Sequence, residues 1–275
     1  MRSKRNGTQG PTALITGGSG GIGFEIGKVL ARDGFDLVLV ARKRDTLEAA
    51  AGQLRGKFAG RVQVFAADLR LPDAPEAIRD FLHNENIPID VLVNNAGFGL
   101  GGEFADTDLR RELDMIQVNI SALTHLTKLF LPPMIKRKSG RVMNVASTAA
   151  FQPGPLMAVY YATKAYVLSF SEALAEELRH TGVTVTVLCP GATATDFAAT
   201  AQVTKSRLFS AFGMADPADV AEFGVAAMMH GRRVAIPGIK NKIVAQATRF
   251  APRDVITRVS RIIQESNERT PSSIN

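Results

Sequence analysis

The chain has 275 residues, 45% of them hydrophobic, with a mean hydropathy of +0.04 and a formal charge of +7. That length supports one substantial covered core, the hydropathy excludes a chain built of membrane spans, and the charge suits an anionic ligand. Cys189 is the sole cysteine, which excludes an intrachain disulfide and fits a reducing, cytoplasmic setting; the four histidines are dispersed, so no metal site is expected.

Residues 1–10 carry Arg2, Lys4 and Arg5 without an apolar stretch and read as a short basic disordered tail, not a secretory signal. Residues 12–16 then read as a buried strand, followed by Gly17-Gly18-Ser19-Gly20-Gly21-Ile22-Gly23 and a helical stretch over 24–33. Glycines let the backbone turn tightly against a pyrophosphate, which the free N–H groups at the positive end of the helix stabilise. A flexible glycine loop is the plain alternative, and the strand-to-helix setting argues against it. Gly17, Ser19, Gly21, Ile22 and Gly23 are the candidate cradle.

An apolar run over 35–40 ends at Ala41-Arg42-Lys43-Arg44, with no acidic residue before Asp45. At the end of a second strand a carboxylate would bind the 2′-hydroxyl of NAD, whereas basic residues hold the 2′-phosphate of NADP. Arg42 is the first candidate, with Lys43 or Arg44 assisting; a solvated basic turn is the alternative. Further strands over 62–66, 91–94, 140–145, 183–188 and 233–236 alternate with helical stretches. Seven strands in this rhythm predict an α/β fold, a doubly wound Rossmann sheet, mostly parallel, with helices on both faces.

Tyr160 and Lys164 are four residues apart in a segment, 159–179, that reads as a helix, and Ser147 lies upstream of them. A phenol ionises near pH 10, so it works as an acid/base at neutral pH when a fixed positive charge favours its anion. Residues i and i+4 share a helix face, which brings the Lys164 ammonium to the Tyr160 hydroxyl, and Ser147 can hydrogen-bond the reacting oxygen. Of the three tyrosines only Tyr160 has a lysine at i+4. A surface tyrosine beside a solvated lysine has the same spacing, so the pair draws its weight from the rest of the chain.

Loops 98–104, 148–157 and 192–215 follow strand ends and are predominantly apolar; the last, with Phe197, Leu208, Phe209, Phe212 and Met214, reads as a lid over an apolar substrate. Residues 240–275 form a basic amphipathic extension in which Val255, Ile256, Val259, Ile262 and Ile263 fall on one helical face opposite Arg253, Arg258 and Arg261. That stripe is expected to bury itself on its own domain or a sister subunit, with an anionic membrane surface or an acyl-carrier partner as alternatives. Residues 264–275 read as a frayed polar tail. The basic groups lack interleaved aromatics and no nucleic-acid motif occurs, so no nucleic-acid partner is expected.

Over residues 11–239 the chain resembles the short-chain dehydrogenase/reductase family of the single-domain kind. The resemblance rests on the turn from Thr16 to Gly23, Asp68 after the third strand, Asn94-Asn95-Ala96-Gly97 after the fourth, Asn119, then Ser147, Tyr160 and Lys164, and Pro190-Gly191 with Thr195. It implies that Tyr160 is the acid/base and that Lys164 holds the nicotinamide ribose and depresses the Tyr160 pKa. Ser147 would polarise the carbonyl, while Asn119 would stabilise a helix bend and a water leading from Lys164 to solvent. It also implies cofactor contacts from Asp68, Leu69, Asn95, Ala96, Gly97, Pro190, Gly191, Thr193 and Thr195. Relatives that prefer NADP often carry a basic residue where this chain has Gly20, so the NADP reading leans on Arg42.

The expectation is an NADP(H)-dependent oxidoreductase of small apolar carbonyl compounds, as a homodimer or homotetramer, with NAD(H) the lesser cofactor. Two alternatives belong to other classes. One is a cofactor-sensing binding protein on the same fold; the other is a membrane- or partner-binding protein acting through the basic C-terminal helix.

Overall fold

The structure is a computed structural model and describes residues 10–201, 213–248 and 250–265. Seven parallel strands, β1 (Thr12–Thr16), β2 (Asp36–Ala41), β3 (Val62–Ala66), β4 (Val91–Asn94), β5 (Gly140–Val145), β6 (Val183–Leu188) and β7 (Val234–Ala235), form one sheet in the order β3-β2-β1-β4-β5-β6-β7. The expected seven strands are all present; the seventh is two residues long rather than four.

Alternation along each strand explains the layers. Ala13 and Ile15 of β1, Leu37 and Leu39 of β2, and Val91 and Val93 of β4 face one side. There they meet α1 (Gly21–Arg32), α2 (Arg44–Arg55) and α8 (Pro217–Met229). Leu14, Val38, Val40, Leu92 and Val142 point the other way, onto α3 (Ala74–Asn84), α5 (Leu123–Lys136) and α6 (Ala158–Glu177). A sheet covered on both faces needs apolar residues at nearly every position, and all five residues of β1 are buried.

Parallel strands bring their carboxyl ends to one edge. Because β1 pairs with both β2 and β4, the connections leaving β1 and β4 go to opposite faces and open a crevice between them. A short helix α4 (Leu109–Ile116) follows β4 and widens into a π-helical turn, Gln117–Ala122, before α5 begins. After β6 comes the short α7 (Phe197–Thr200), and after β7 come α9 (Ile239–Ala247) and α10 (Arg253–Gln264).

Two expectations are corrected. Helix α1 starts at Gly21, not at residue 24, because the turn needs its N–H groups exposed from the second glycine pair onward. Helix α10 forms where its period predicted, with Ile256 and Ile263 of its stripe half-buried beside buried Ser260 and Gln264, while Val255, Val259 and Ile262 are 51%, 48% and 55% exposed. Gln264 is therefore the last residue of a packed helix, not the start of a frayed tail. The basic tail over 1–9, the lid residues Leu208, Phe209 and Phe212, and residues 266–275 lie outside the described residues.

Candidate active site

The turn after β1 is held from behind by β4. Gly17 takes φ +66°, and its N–H and that of Gly18 both donate to the Val40 carbonyl at 2.8 and 3.3 Å. Asn95 Nδ2 donates to the carbonyls of Thr16 (3.0 Å) and Gly17 (3.1 Å), and Thr16 Oγ1 accepts from the N–H groups of Asn95 and Ala96. A Cβ on Gly17 would sit 2.7 Å from Asn95 Nδ2, and one on Gly23 would overlap the Gly17 carbonyl. Glycine at these positions is thus a steric requirement. Gly23→Ala is expected to lower stability by about 1–3 kcal/mol through this overlap and to weaken dinucleotide binding, read by a thermal melt and a binding titration.

Helix α1 then begins with no side-chain cap and no acidic residue in its first turn, and Gly20 at its N-cap faces open space. Uncapped N–H groups at a positive helix end, approached by a bare backbone, fit a pyrophosphate. The Gly21 backbone faces Thr195, whose Cγ2 would lie 3.1 Å from an added Cβ, so the loop after β6 forms the opposite wall.

At the adenosine end, Arg42 stands exposed where β2 stops and makes no ion pair among the described residues. Asp68, after β3, is bound by Arg70, whose Nε lies 3.0 and 2.9 Å from its two oxygens. Hydrogen bonding to Arg70 holds the Asp68 carboxyl below its ordinary value, with smaller help from the charge of Arg42. Asp68 is not a helix cap, since α3 begins at Ala74 after Asp73. The Arg70 partner was not singled out from the sequence, although its position two residues after Asp68 made the pair readable.

The catalytic candidates gather at the other end. Tyr160 and Lys164 lie one turn apart near the start of α6, 8% and 6% exposed, with Lys164 Nζ 5.8 Å from the Tyr160 ring centroid. Ser147 follows β5 and opens a short 3₁₀ turn, its Oγ accepting from the Ala149 N–H at 3.1 Å. Asn119 sits in the π-helical turn, 1% exposed; its Nδ2 donates to the Phe98 carbonyl and to Thr163 Oγ1, both at 3.0 Å, and its Oδ1 accepts from the Phe98 N–H. A Cβ on Gly97 would lie 3.0 Å from Asn119 Oδ1 and 3.4 Å from Lys164 Nζ, which brings the loop after β4 against both side chains. Phe197 of α7 tilts over Tyr160 at 5.2 Å between ring centroids.

Burial raises the Tyr160 hydroxyl above its ordinary value, with the hydrogen bond to Ser147 pulling it back. Lys164 Nζ donates to the Val145 carbonyl at 2.9 Å and is pushed down to about 8 by burial. Tyr160 thus keeps its proton through the neutral range. A lysine with a lowered folded-state pKa binds its proton more tightly when unfolded, so its penalty is largest at neutral pH and fades between about 8 and 10.5. A displacement of that size corresponds to roughly 3 kcal/mol, of which an orphaned Val145 carbonyl would take back about 1–2. Lys164→Met is therefore expected to melt higher than the parent at neutral pH, with the gap closing in alkaline buffer.

The candidate residues singled out from the sequence, except Asn119 and Gly23, line one cleft of about 670 Å³, from Arg42 and Asp68, past the glycine turn, to Ser147, Tyr160 and Lys164; Leu69, Ala96, Pro190, Gly191 and Thr193 lie along it. Asn119 and Gly23 act from behind it. The cleft also takes in Tyr161, Gln152 and Gln264, which the sequence reading did not include. Cys189, raised to about 12 by burial, is a core residue. No helix of the described residues is long and apolar enough to cross a membrane.

Comparison with known proteins agrees with this geometry. Residues 11–206 match the short chain dehydrogenase family. A short chain dehydrogenase of Pseudocercospora fijiensis is 36% identical over 193 residues, which is 70% of this chain and 62% of that protein. The ketoacyl reductase HetN of a Nostoc species is 35% identical over 182 residues, 66% of this chain and 63% of that protein. The match thus spans a little under two thirds of the length of these relatives. A solved short-chain dehydrogenase from Sphingobium yanoikuyae in complex with NADPH is similar with a TM-score of 0.79 at 30% identity, covering 96% of this chain and 99% of that one. A seven-stranded parallel sheet, a glycine turn at its switch point and a matching family profile together make this chain a member of the short-chain dehydrogenase/reductase family.

Proposed function

We propose that the chain is an NADP(H)-dependent oxidoreductase that interconverts an apolar ketone, such as a ketoacyl compound, and its secondary alcohol. The observation that carries this reading is the meeting of Tyr160, Ser147 and Lys164 at one end of a cleft whose other end holds Arg42, exposed and without an ion pair among the described residues. The relatives support it, since HetN is a ketoacyl reductase and the Sphingobium protein is in complex with NADPH.

Each residue has a task that its chemistry fits. The bound nicotinamide supplies the hydride. Tyr160, neutral at neutral pH, donates its proton to the carbonyl oxygen during reduction and recovers one from the alcohol in the reverse direction. Ser147 hydrogen-bonds the same oxygen and orients it. Lys164 holds ribose hydroxyls with its ammonium, and Asn119, fixed between Phe98 and Thr163, keeps the π-helical turn that shapes the cleft behind it. Arg42 takes the 2′-phosphate, while the uncapped end of α1 takes the pyrophosphate. The apolar surroundings of Tyr160, from Met157, Phe98 and Phe197, suit a hydrophobic substrate and exclude water. A cytoplasmic homo-oligomer belongs to the same reading; the exposed alanines of α6 at Ala158, Ala162 and Ala165 bear on the oligomer alone, as a small-residue surface open to a second copy.

The test is turnover by the whole chain with NADPH and with NADH against a panel of apolar ketones and ketoacyl thioesters. Reduction that prefers NADPH supports the reading. Tight NADPH binding with no turnover across the panel favours the cofactor-sensing alternative.

A further inference from the structure

The last two helices keep aliphatic side chains in solvent after their own packing is complete. Helix α10 packs through buried Ser260 and Gln264 and through half-buried Ile256, Thr257 and Ile263. Val255, Val259 and Ile262 recur at helical spacing on the outer edge of the same stripe, and each stays about half exposed. Helix α9 repeats the pattern, with Ala245 buried and Ile239 and Ile243, one turn apart, exposed. Phe250, between the two helices, is 88% exposed. The helices adjoin: Thr248, just after α9, and Arg253, Ile256 and Thr257 of α10 line one hollow against the start of α6. Clustered aliphatic surface of this kind is unfavourable in water until something covers it.

Charge identifies the cover. Residues 239–262 carry Lys240, Lys242, Arg249, Arg253, Arg258 and Arg261 against the single acid Asp254. Arg261 is paired with Glu103, but Lys240, Arg253 and Arg258 make no ion pair among the described residues. Arg258 lies three residues after Val255 and four before Ile262, so it shares their face. A second copy brought against this face would set two basic surfaces together, which opposes pairing. The exposed leucines of α4 differ, because Leu109 and Leu113 sit among Arg110, Arg111, Glu112 and Asp114, whose charges balance. Aliphatic side chains interleaved with uncompensated cations match the headgroup boundary of an anionic bilayer. There the cations meet phosphates and the aliphatic groups leave water.

We propose that α10, with α9 and Phe250 adjoining it, is a docking surface for an anionic lipid bilayer. The helices lie on the membrane, since neither is long and apolar enough to cross it. Gln264, in the last turn of α10, lines the cleft and is bonded to Tyr161 beside Tyr160, so docking sets that end of the cleft near the lipid. The surface stands on its own observations, whatever reaction the cleft performs.

The test is cosedimentation of the full chain with vesicles of phosphatidylcholine alone and of phosphatidylcholine mixed equally with phosphatidylglycerol. Sedimentation velocity of the lipid-free protein runs alongside. Binding to the anionic vesicles is expected well above binding to the neutral ones, and added salt should weaken it. The triple variant Val255→Ser, Val259→Ser, Ile262→Ser should bind roughly tenfold or more weakly, and Arg258→Gln roughly fivefold more weakly. Leu109→Ser with Leu113→Ser, on α4, is the matched control and should leave vesicle binding in place. Melts show that each variant is folded, and if the triple variant is not, Ile262→Ser alone carries the comparison. Absence of binding to the anionic vesicles overturns the proposal. So does binding that the folded aliphatic variant retains within about twofold, which marks plain adsorption of a basic chain. Self-association that the aliphatic variant dissolves, with no vesicle binding, assigns the face to a second copy instead.

Discussion

Tyr160→Phe is expected to bind NADPH as the parent does and to lose about two to four orders of magnitude in kcat, the range that positioned general acids supply. The substitution removes one oxygen from a side chain that is 8% exposed and packed under Phe197, so the ring contact and the helix are kept. What disappears is the transferable proton and the partner of Ser147. The direction of the pH dependence follows from the same geometry. With the phenol raised above its ordinary value by burial, the donor form is populated throughout the neutral range, and ketone reduction should vary little there on account of Tyr160. Alcohol oxidation needs the anion, so it should rise with pH. Steady-state rates in both directions, with a cofactor titration of each protein, check this; a Phe variant within tenfold of the parent would remove Tyr160 from the reaction.

Arg42→Ala is expected to weaken NADPH by about 1.5–3 kcal/mol, roughly ten- to hundredfold, and NADH far less. Arg42 stands exposed at the end of β2 and forms no ion pair among the described residues, so its guanidinium is available to a 2′-phosphate. Its neighbour Arg70 is engaged with Asp68 and reaches Asp114 at 3.7 Å, which makes it a poorer candidate. Because Arg42 is solvent-exposed, the NADPH preference should shrink as salt is added. Parallel titrations with the two cofactors decide the matter: equal weakening of both would move the determinant to another residue, with Lys43 in the same cleft the next to test.

The fold was legible because the sheet is covered on both faces. Runs such as Leu37–Val40 leave no reading other than a buried strand, and their alternation with helical stretches dictates a parallel order. The site was legible for a related reason: its residues sit at strand ends and at one helical spacing, both of which are local. What escaped depends on contacts distant in sequence. The Gln264–Tyr161 hydrogen bond links residues 103 positions apart, and no local pattern marks a buried glutamine at the end of an amphipathic helix. The period of α10 was readable, but which side of its stripe packs was not: Ile256 and Ile263 turn inward with Ser260 and Gln264, and Val255, Val259 and Ile262 do not. The helix bend at Asn119 came from the family resemblance and not from its own residues, since the π-helical turn is fixed by the Phe98 backbone and Thr163. Spacing at i+4 placed Lys164 beside Tyr160, but it could not show that one of its donors goes to the Val145 carbonyl.

The most direct measurement of the proposed chemistry uses NADPH carrying deuterium at the transferable nicotinamide position, with a ketone that the parent chain consumes. Mass analysis of the alcohol is expected to find one deuterium on the carbinol carbon with the parent protein and almost no product with Tyr160→Phe. Alcohol formed without the label, or formed as fast by the Phe variant, would contradict direct hydride transfer paired with a proton from Tyr160.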